Sequence, residues 1–136
     1  MDDEERNYCV YMHTNKINNK KYIGITRQNP PEKRWGHNGH AYRENKHFSS
    51  AIQKYGWDNF KHEILFRGFS KKQAEDKEVE LIAYYDCTNS KFGYNKDKGG
   101  RSAGRFTEDT IQKMRDAHKN IDIYWNRKPV LQYKLN

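Results

Sequence analysis

The chain has 136 residues, of which 34% are hydrophobic and 32% charged, and it carries a formal net charge of +8. That length suits one compact domain with an appendage and a small, tyrosine-rich core, and the charge favours a polyanionic partner. No run approaches the ~18 apolar residues of a membrane span, the polar start is no signal peptide, and two cysteines without a C-x-x-C pair argue against a disulfide scaffold or a zinc site, so the chain reads as soluble and intracellular.

Tyr8–Thr14 alternates as a strand, with Tyr8, Val10 and Met12 on one face and Cys9, Tyr11 and His13 on the other. A polar turn, Asn15–Lys20, leads to a return strand at Lys21–Thr26, where Tyr22 and Gly24 share one face and Ile23 and Ile25 the opposite one. Pro30-Pro31 opens a helix predicted to run to about Asn45, and His47–Tyr55 is a second short helix closed by Gly56. The alternation of "NFKHEILFR" (Asn59–Arg67) predicts a third strand. Ser70 followed by Gln73 is a capping-box signature for a helix to about Tyr85, with Ala74, Leu81, Ile82 and Tyr85 as its apolar stripe.

A Gly-rich basic stretch, "KDKGGRSAGR", then marks a domain boundary. Thr107 caps a separate helix, Glu108–His118, and the last run, "KPVLQYKLN", reads as a strand. Residues 96–136 hold ten Lys/Arg against five Asp/Glu, so the positive charge is denser there. The order predicts an α+β fold: a small three-stranded antiparallel sheet flanked by helices, followed by an extended C-terminal tail with a short helix.

Tyr11 and Tyr22 admit two readings. As ordinary strand residues they pack on each other across the hairpin. Alternatively, both phenols are aimed at one reacting group, and the downstream Arg34, Glu80 and several histidines complete a site. Hydrolysis of a phosphodiester needs a deprotonated water, a neutralised phosphate and a stabilised leaving oxygen. The planar fork of Arg34 suits two phosphate oxygens. A phenol titrates near ~10, so a basic site with Arg34 must favour phenolate if Tyr11 is the general base. A carboxylate inside "VELIAYY" calls for a partner or a metal if buried.

Cys9-Val10-Tyr11 and Tyr22-Ile23-Gly24, with the intervening "NKINNKKYIGIT", the "EKRW" around Arg34 and the later "KEVELIAYYDCTNSKFGYN", resemble a GIY-YIG nuclease domain over about residues 7–98. Cys and Val replace the usual Gly and Ile of the first triplet; the second matches letter for letter. The resemblance implies a metal-dependent endonuclease that hydrolyses double-stranded DNA, of the phage- or intron-encoded homing type and acting in the cytoplasm of a bacterial host. Its alternatives are a restriction or repair nuclease of the same family and a catalytically idle DNA-binding module. It implies one divalent ion, Mg2+ replaceable by Mn2+, no small-molecule cofactor and a monomer.

The site it implies comprises Tyr11, Tyr22, Arg34, His47, Glu80 and Asn95, with Glu80 holding the metal. Asn38 stands where relatives often carry a further histidine, with His37 and His40 beside it, so which of His37, His40 and His47 assists stays open. His13, His62 and His118 read as solvated or packing residues. The nuclease domain is expected over 1–98. Residues 99–136 resemble the modular DNA-binding tails of phage homing endonucleases, with Lys98, Arg101, Arg105 and Lys113 toward DNA and the start of a further module that ends too soon to be complete.

Overall fold

The alternation in Tyr8–Asn15 (β1) and Lys21–Thr26 (β2) produces an antiparallel hairpin that pairs Tyr11 with Gly24 and His13 with Tyr22. Asn15 and Asn18 side chains accept from the Ile17 and Lys20 amides at 2.8 and 3.0 Å, which tightens the turn, while Asn19 takes a φ of 67°. This computed structural model describes residues 6–99, 107–110, 112, 113 and 116. Phe60–Phe69 (β3) pairs with the other side of β1, so the sheet has the antiparallel order β2-β1-β3.

The two faces of the sheet build two cores. Val10, Met12, Ile23 and Leu65 are covered by a helix at Lys71–Tyr85, which contributes Ala74, Leu81 and Ile82. Ser70 caps that helix in the predicted capping box, its hydroxyl accepting from Gln73 N while the Gln73 side chain accepts from Ser70 N. Tyr11, Phe60 and Tyr94 face the other way, against Trp35, Tyr42 and Phe48. Phe48 belongs to a helix at Lys46–Tyr55, capped by Asn45 and ended by Gly56, close to expectation. In chain order these helices are α1 (Lys46–Tyr55) and α2 (Lys71–Tyr85).

The helix predicted from Pro30 to Asn45 is absent. Two 3-10 turns, Pro31–Arg34 and His37–Tyr42, stand in its place. Gly36, Asn38 and Gly39 all have positive φ (74°, 52° and 75°), which an α-helix does not accept. Gly39 also lies against Trp57, where a Cβ would come within 2.5 Å of the indole ring. Packing beneath Trp57 thus overrides a propensity that two glycines already weakened.

Asn95 serves the sheet. Its side chain accepts from Ile23 N and donates to Ile23 O, both at 2.9 Å, so a single amide closes the outer edge of β2 as another strand would. A parallel bridge from Lys21 to Gly93 extends that cover. Asn95→Ala strips both partners from a backbone unit at the edge of the buried core, and should lower stability by about 1–3 kcal/mol in urea unfolding. An unchanged midpoint would mean that water replaces the amide without cost.

Candidate active site

Tyr11 is 1% exposed, at the centre of β1, and its cross-strand neighbour is Gly24. A Cβ at position 24 would overlap the hydroxyl and ring of Tyr11, so the phenol lies across the glycine in a notch that any other residue would fill. Tyr22, on the same face, stacks on Phe48 with centroids 4.7 Å apart and meets Tyr42 edge-on at 5.0 Å. The structure therefore brings the two tyrosines to one face, but through a layer of intervening aromatic rings.

Arg34, at the end of the Pro31–Arg34 turn, lays its guanidinium 5.0 Å from the centre of the Tyr42 ring. It is close enough to favour negative charge on Tyr11, as the sequence predicts, yet burial outweighs it. Desolvation first, then Tyr22, push the Tyr11 phenol well above its ordinary value, against smaller lowering effects of the Tyr42 hydrogen bond and Arg34 and with the smallest push from Glu78. The condition set by the sequence for Tyr11 as general base, that Arg34 favour its phenolate, is thus opposed by burial.

The Tyr11 hydroxyl is 3.0 Å from that of Tyr42, and Tyr42 Oη is 2.9 Å from His13 Nε2. His13 is fully buried and its Nδ1 is 2.9 Å from Nδ1 of His62. His62 in turn donates from Nε2 to the Trp57 carbonyl at 3.2 Å. Four side chains thus form one hydrogen-bonded chain from Tyr11 to a half-buried histidine. Alternation placed His13 on the face of Tyr11, but nothing in the sequence announced His62 or Tyr42 as its partners.

On α2 the acids differ by helical phase. Glu80, which the resemblance implies as the metal ligand, is in an ion pair with Lys77 at 3.1 Å, and Lys77 lies over the Phe66 ring. Glu78 is two residues earlier, about 200° around the helix. Its carboxylate rests against Gly99, where a Cβ would come 2.9 Å from Cδ, and it is the α2 acid whose charge bears on Tyr11. Counting back fifteen positions from Asn95 reaches Glu80 and not Glu78. Among the described residues no three His, Cys, Asp or Glu side chains gather as a metal cluster.

The remaining candidates lie apart. His47 is exposed on the first turn of α1, edge-on to Tyr94 at 5.0 Å, and slight burial and Lys20 lower its pKa. His37 and His40 line a cleft of about 690 Å³ with Arg43 and Ser49, and neither Tyr11, Tyr22 nor Arg34 contributes to its walls. Cys9 and Cys87 are buried free thiols, and burial pushes Cys87 up to about 12. In the tail, Thr107 accepts from Thr110 N as the predicted cap, Lys98 pairs with Glu108, and Lys113 with Asp109 at 3.5 Å. Arg101, Arg105, His118 and the expected last strand lie outside the described residues.

Residues 7–95 match the family model described as the GIY-YIG catalytic domain. Two proteins of Enterobacteria phage T4 are similar: "Putative endonuclease segE", 35% identical over 110 residues, and "Putative endonuclease segC", 30% identical over 97. These alignments cover 81% and 71% of this chain but only 50% and 46% of the relatives, so the chain spans about half their length. No solved structure gives a significant match.

The notch makes a direct claim on energetics. Gly24→Ala overpacks the site and should lose about 1–3 kcal/mol in chemical unfolding. A double-mutant cycle with Tyr11→Ala should return a coupling of about 1 kcal/mol or more, since the ring is what the new methyl strikes. Additive losses would place the Tyr11 ring elsewhere.

Proposed function

This chain belongs to the GIY-YIG family, and from that premise we propose that it is a divalent-cation-dependent DNA endonuclease of the homing type. The observation that supports this most is the shared face on which the Tyr11 hydroxyl meets Tyr42 at 3.0 Å, Tyr22 lies edge-on to the same Tyr42 ring, and the Arg34 guanidinium covers that ring at 5.0 Å.

In this reading Arg34 grips the scissile phosphate with two N–H donors and offsets the charge that builds on its oxygens. Tyr11 receives the proton of the attacking water. Tyr22, rigid on Phe48, presents its hydroxyl toward the phosphate and orients it. His47 reaches the DNA backbone from the rim, beside Lys20. Asn95 acts through the sheet, by holding β2 in place.

Glu78 takes the place in the site that spacing had assigned to Glu80. The donor set fits a hard cation: one carboxylate, in a site otherwise furnished with hydroxyl oxygens, suits Mg2+, which keeps several waters and takes oxygens from the substrate. When bound, such an ion would neutralise phosphate charge and lower the pKa of water. Glu78 would hold it, beside Gly99.

The tail supports the homing assignment. Lys98 and Lys113 are engaged in exposed ion pairs worth little in water, so DNA phosphates can replace Glu108 and Asp109 as their partners. Arg101 and Arg105 add charge on the same Gly-rich stretch.

Supercoiled-plasmid nicking decides the main points. Wild-type chain should cleave with Mg2+ or Mn2+ and stop with EDTA; Glu78→Ala should lose about a hundredfold or more, and Glu80→Ala should stay within about threefold, an effect under 1 kcal/mol. The opposite ranking restores Glu80 to the site. For the tail, Arg101→Ala/Arg105→Ala should reduce the salt slope of DNA binding by about two units if both contact phosphates. An unaltered slope removes them from the interface.

A further inference from the structure

We propose that Phe92 is a stacking wedge for double-stranded DNA, set in a basic edge of the domain made by the turn at 15–20 and the loop at 87–95, with Ile17 as a second apolar contact and Lys20 and Lys91 on the flanking phosphates. This rests on the nuclease reading above and says how the domain itself grips its substrate, apart from the tail.

Exposure singles out the two apolar residues. Among the described residues Ile17 and Phe92 are the large hydrophobic side chains left open to solvent, at 65% and 53%. One such residue alone is ordinary on a protein surface. Here both fall on segments that are joined to each other. Lys21 N donates to Phe92 O at 3.2 Å, Tyr94 N donates to Lys21 O at 2.9 Å, and the Asn15 amide donates to the Tyr94 hydroxyl at 3.0 Å.

The loop that carries Phe92 is held at nearly every residue. Phe92 N and Gly93 N both donate to Asn89 O, at 2.8 and 3.0 Å, Lys91 N donates to the Asn89 side chain at 2.9 Å, and Asn95 N donates to Cys87 O at 3.0 Å. Gly93 packs on Cys87 so closely that a Cβ there would overlap its backbone. Ile17 is fixed in the same manner, its amide donating to the Asn15 side chain at 2.8 Å. Both apolar groups are therefore presented on rigid bases, and little ordering entropy is lost when they are covered.

Charge says what covers them. Residues 15–21 and 87–96 together hold five lysines and no aspartate or glutamate. A duplex meets both demands at once, with phosphates for the lysines and flat base faces for the ring, and apolar side chains flanked by cations are a means by which proteins part a base step and bend DNA. The edge is also continuous with the candidate site. Lys20 lies 6.0 Å from the centre of the Tyr94 ring, His47 meets that ring edge-on at 5.0 Å, and Tyr94 is buried in the same aromatic layer as Tyr11 and Tyr42.

The test is binding of the full chain to a fluorescein-labelled duplex in EDTA, read by anisotropy across a salt series, with Phe92→Ala, Phe92→Trp and Lys20→Ala/Lys91→Ala in parallel. Phe92→Ala should weaken binding about tenfold at every salt concentration and leave the salt slope unaltered, because an apolar contact releases no counterion. The lysine pair should reduce that slope by about two units. Phe92→Trp should keep the affinity and show quenching of its emission by DNA beyond that of the wild-type chain, as a base stacked on the indole requires. Affinity of Phe92→Ala within about twofold of wild type, or no added quenching in Phe92→Trp, overturns the wedge. So does a wild-type oligomer in sedimentation that Phe92→Ala disperses with DNA binding intact, since a second copy of the chain is then the occupant. Either result with plasmid nicking intact leaves the nuclease standing, whereas a wild-type chain that binds and stacks but cuts no DNA keeps the wedge and overturns the nuclease reading.

Discussion

The Tyr11 phenol fills the place where Gly24 has no side chain, and the rest of its sheet face is organised by that contact. Because the ring lies flat across β2, its hydroxyl is taken out of water and must find partners within the protein. Tyr42 is the first of them, and Tyr42, itself buried, needs His13. The sequence of obligations ends only where His62 meets a backbone carbonyl. A network of this kind is stabilising when every member is satisfied and costly when one is missing.

Burial and charge pull the phenol in opposite directions here. Arg34 alone would make Tyr11 more acidic, but desolvation is the larger effect and keeps it protonated. Placing Arg34 over Tyr42 rather than in a direct ion pair leaves the guanidinium available to a phosphate. The same face thus holds a neutral phenol and a guanidinium stacked on its hydrogen-bond partner.

The strands, their faces and the capping-box helix were legible because period-two alternation and the Ser70/Gln73 pair are local signals. Alternation put Tyr22 and Gly24 on one face of β2, and strand pairing then sets Gly24 opposite Tyr11 and Tyr22 opposite His13. The stretch after Pro31 was misread as one helix, since three residues there take positive φ and one of them, Gly39, is packed under Trp57, eighteen residues further along the chain. Counting back from Asn95 reaches Glu80, whereas the side of α2 on which an acid emerges is set by helical phase, and Glu78 lies about 200° away from it. The histidine pair was hidden because His13 and His62 become partners only when β3 joins β1.

Asn95 carries one further consequence. Its amide pins the chain to the rim of β2, and only four residues later Gly99 passes the Glu78 carboxylate. On the proposed reading the described domain ends beside the carboxylate that would hold the cation, so the length of any segment joined there would set the interval between the bases it reads and the bond that is broken.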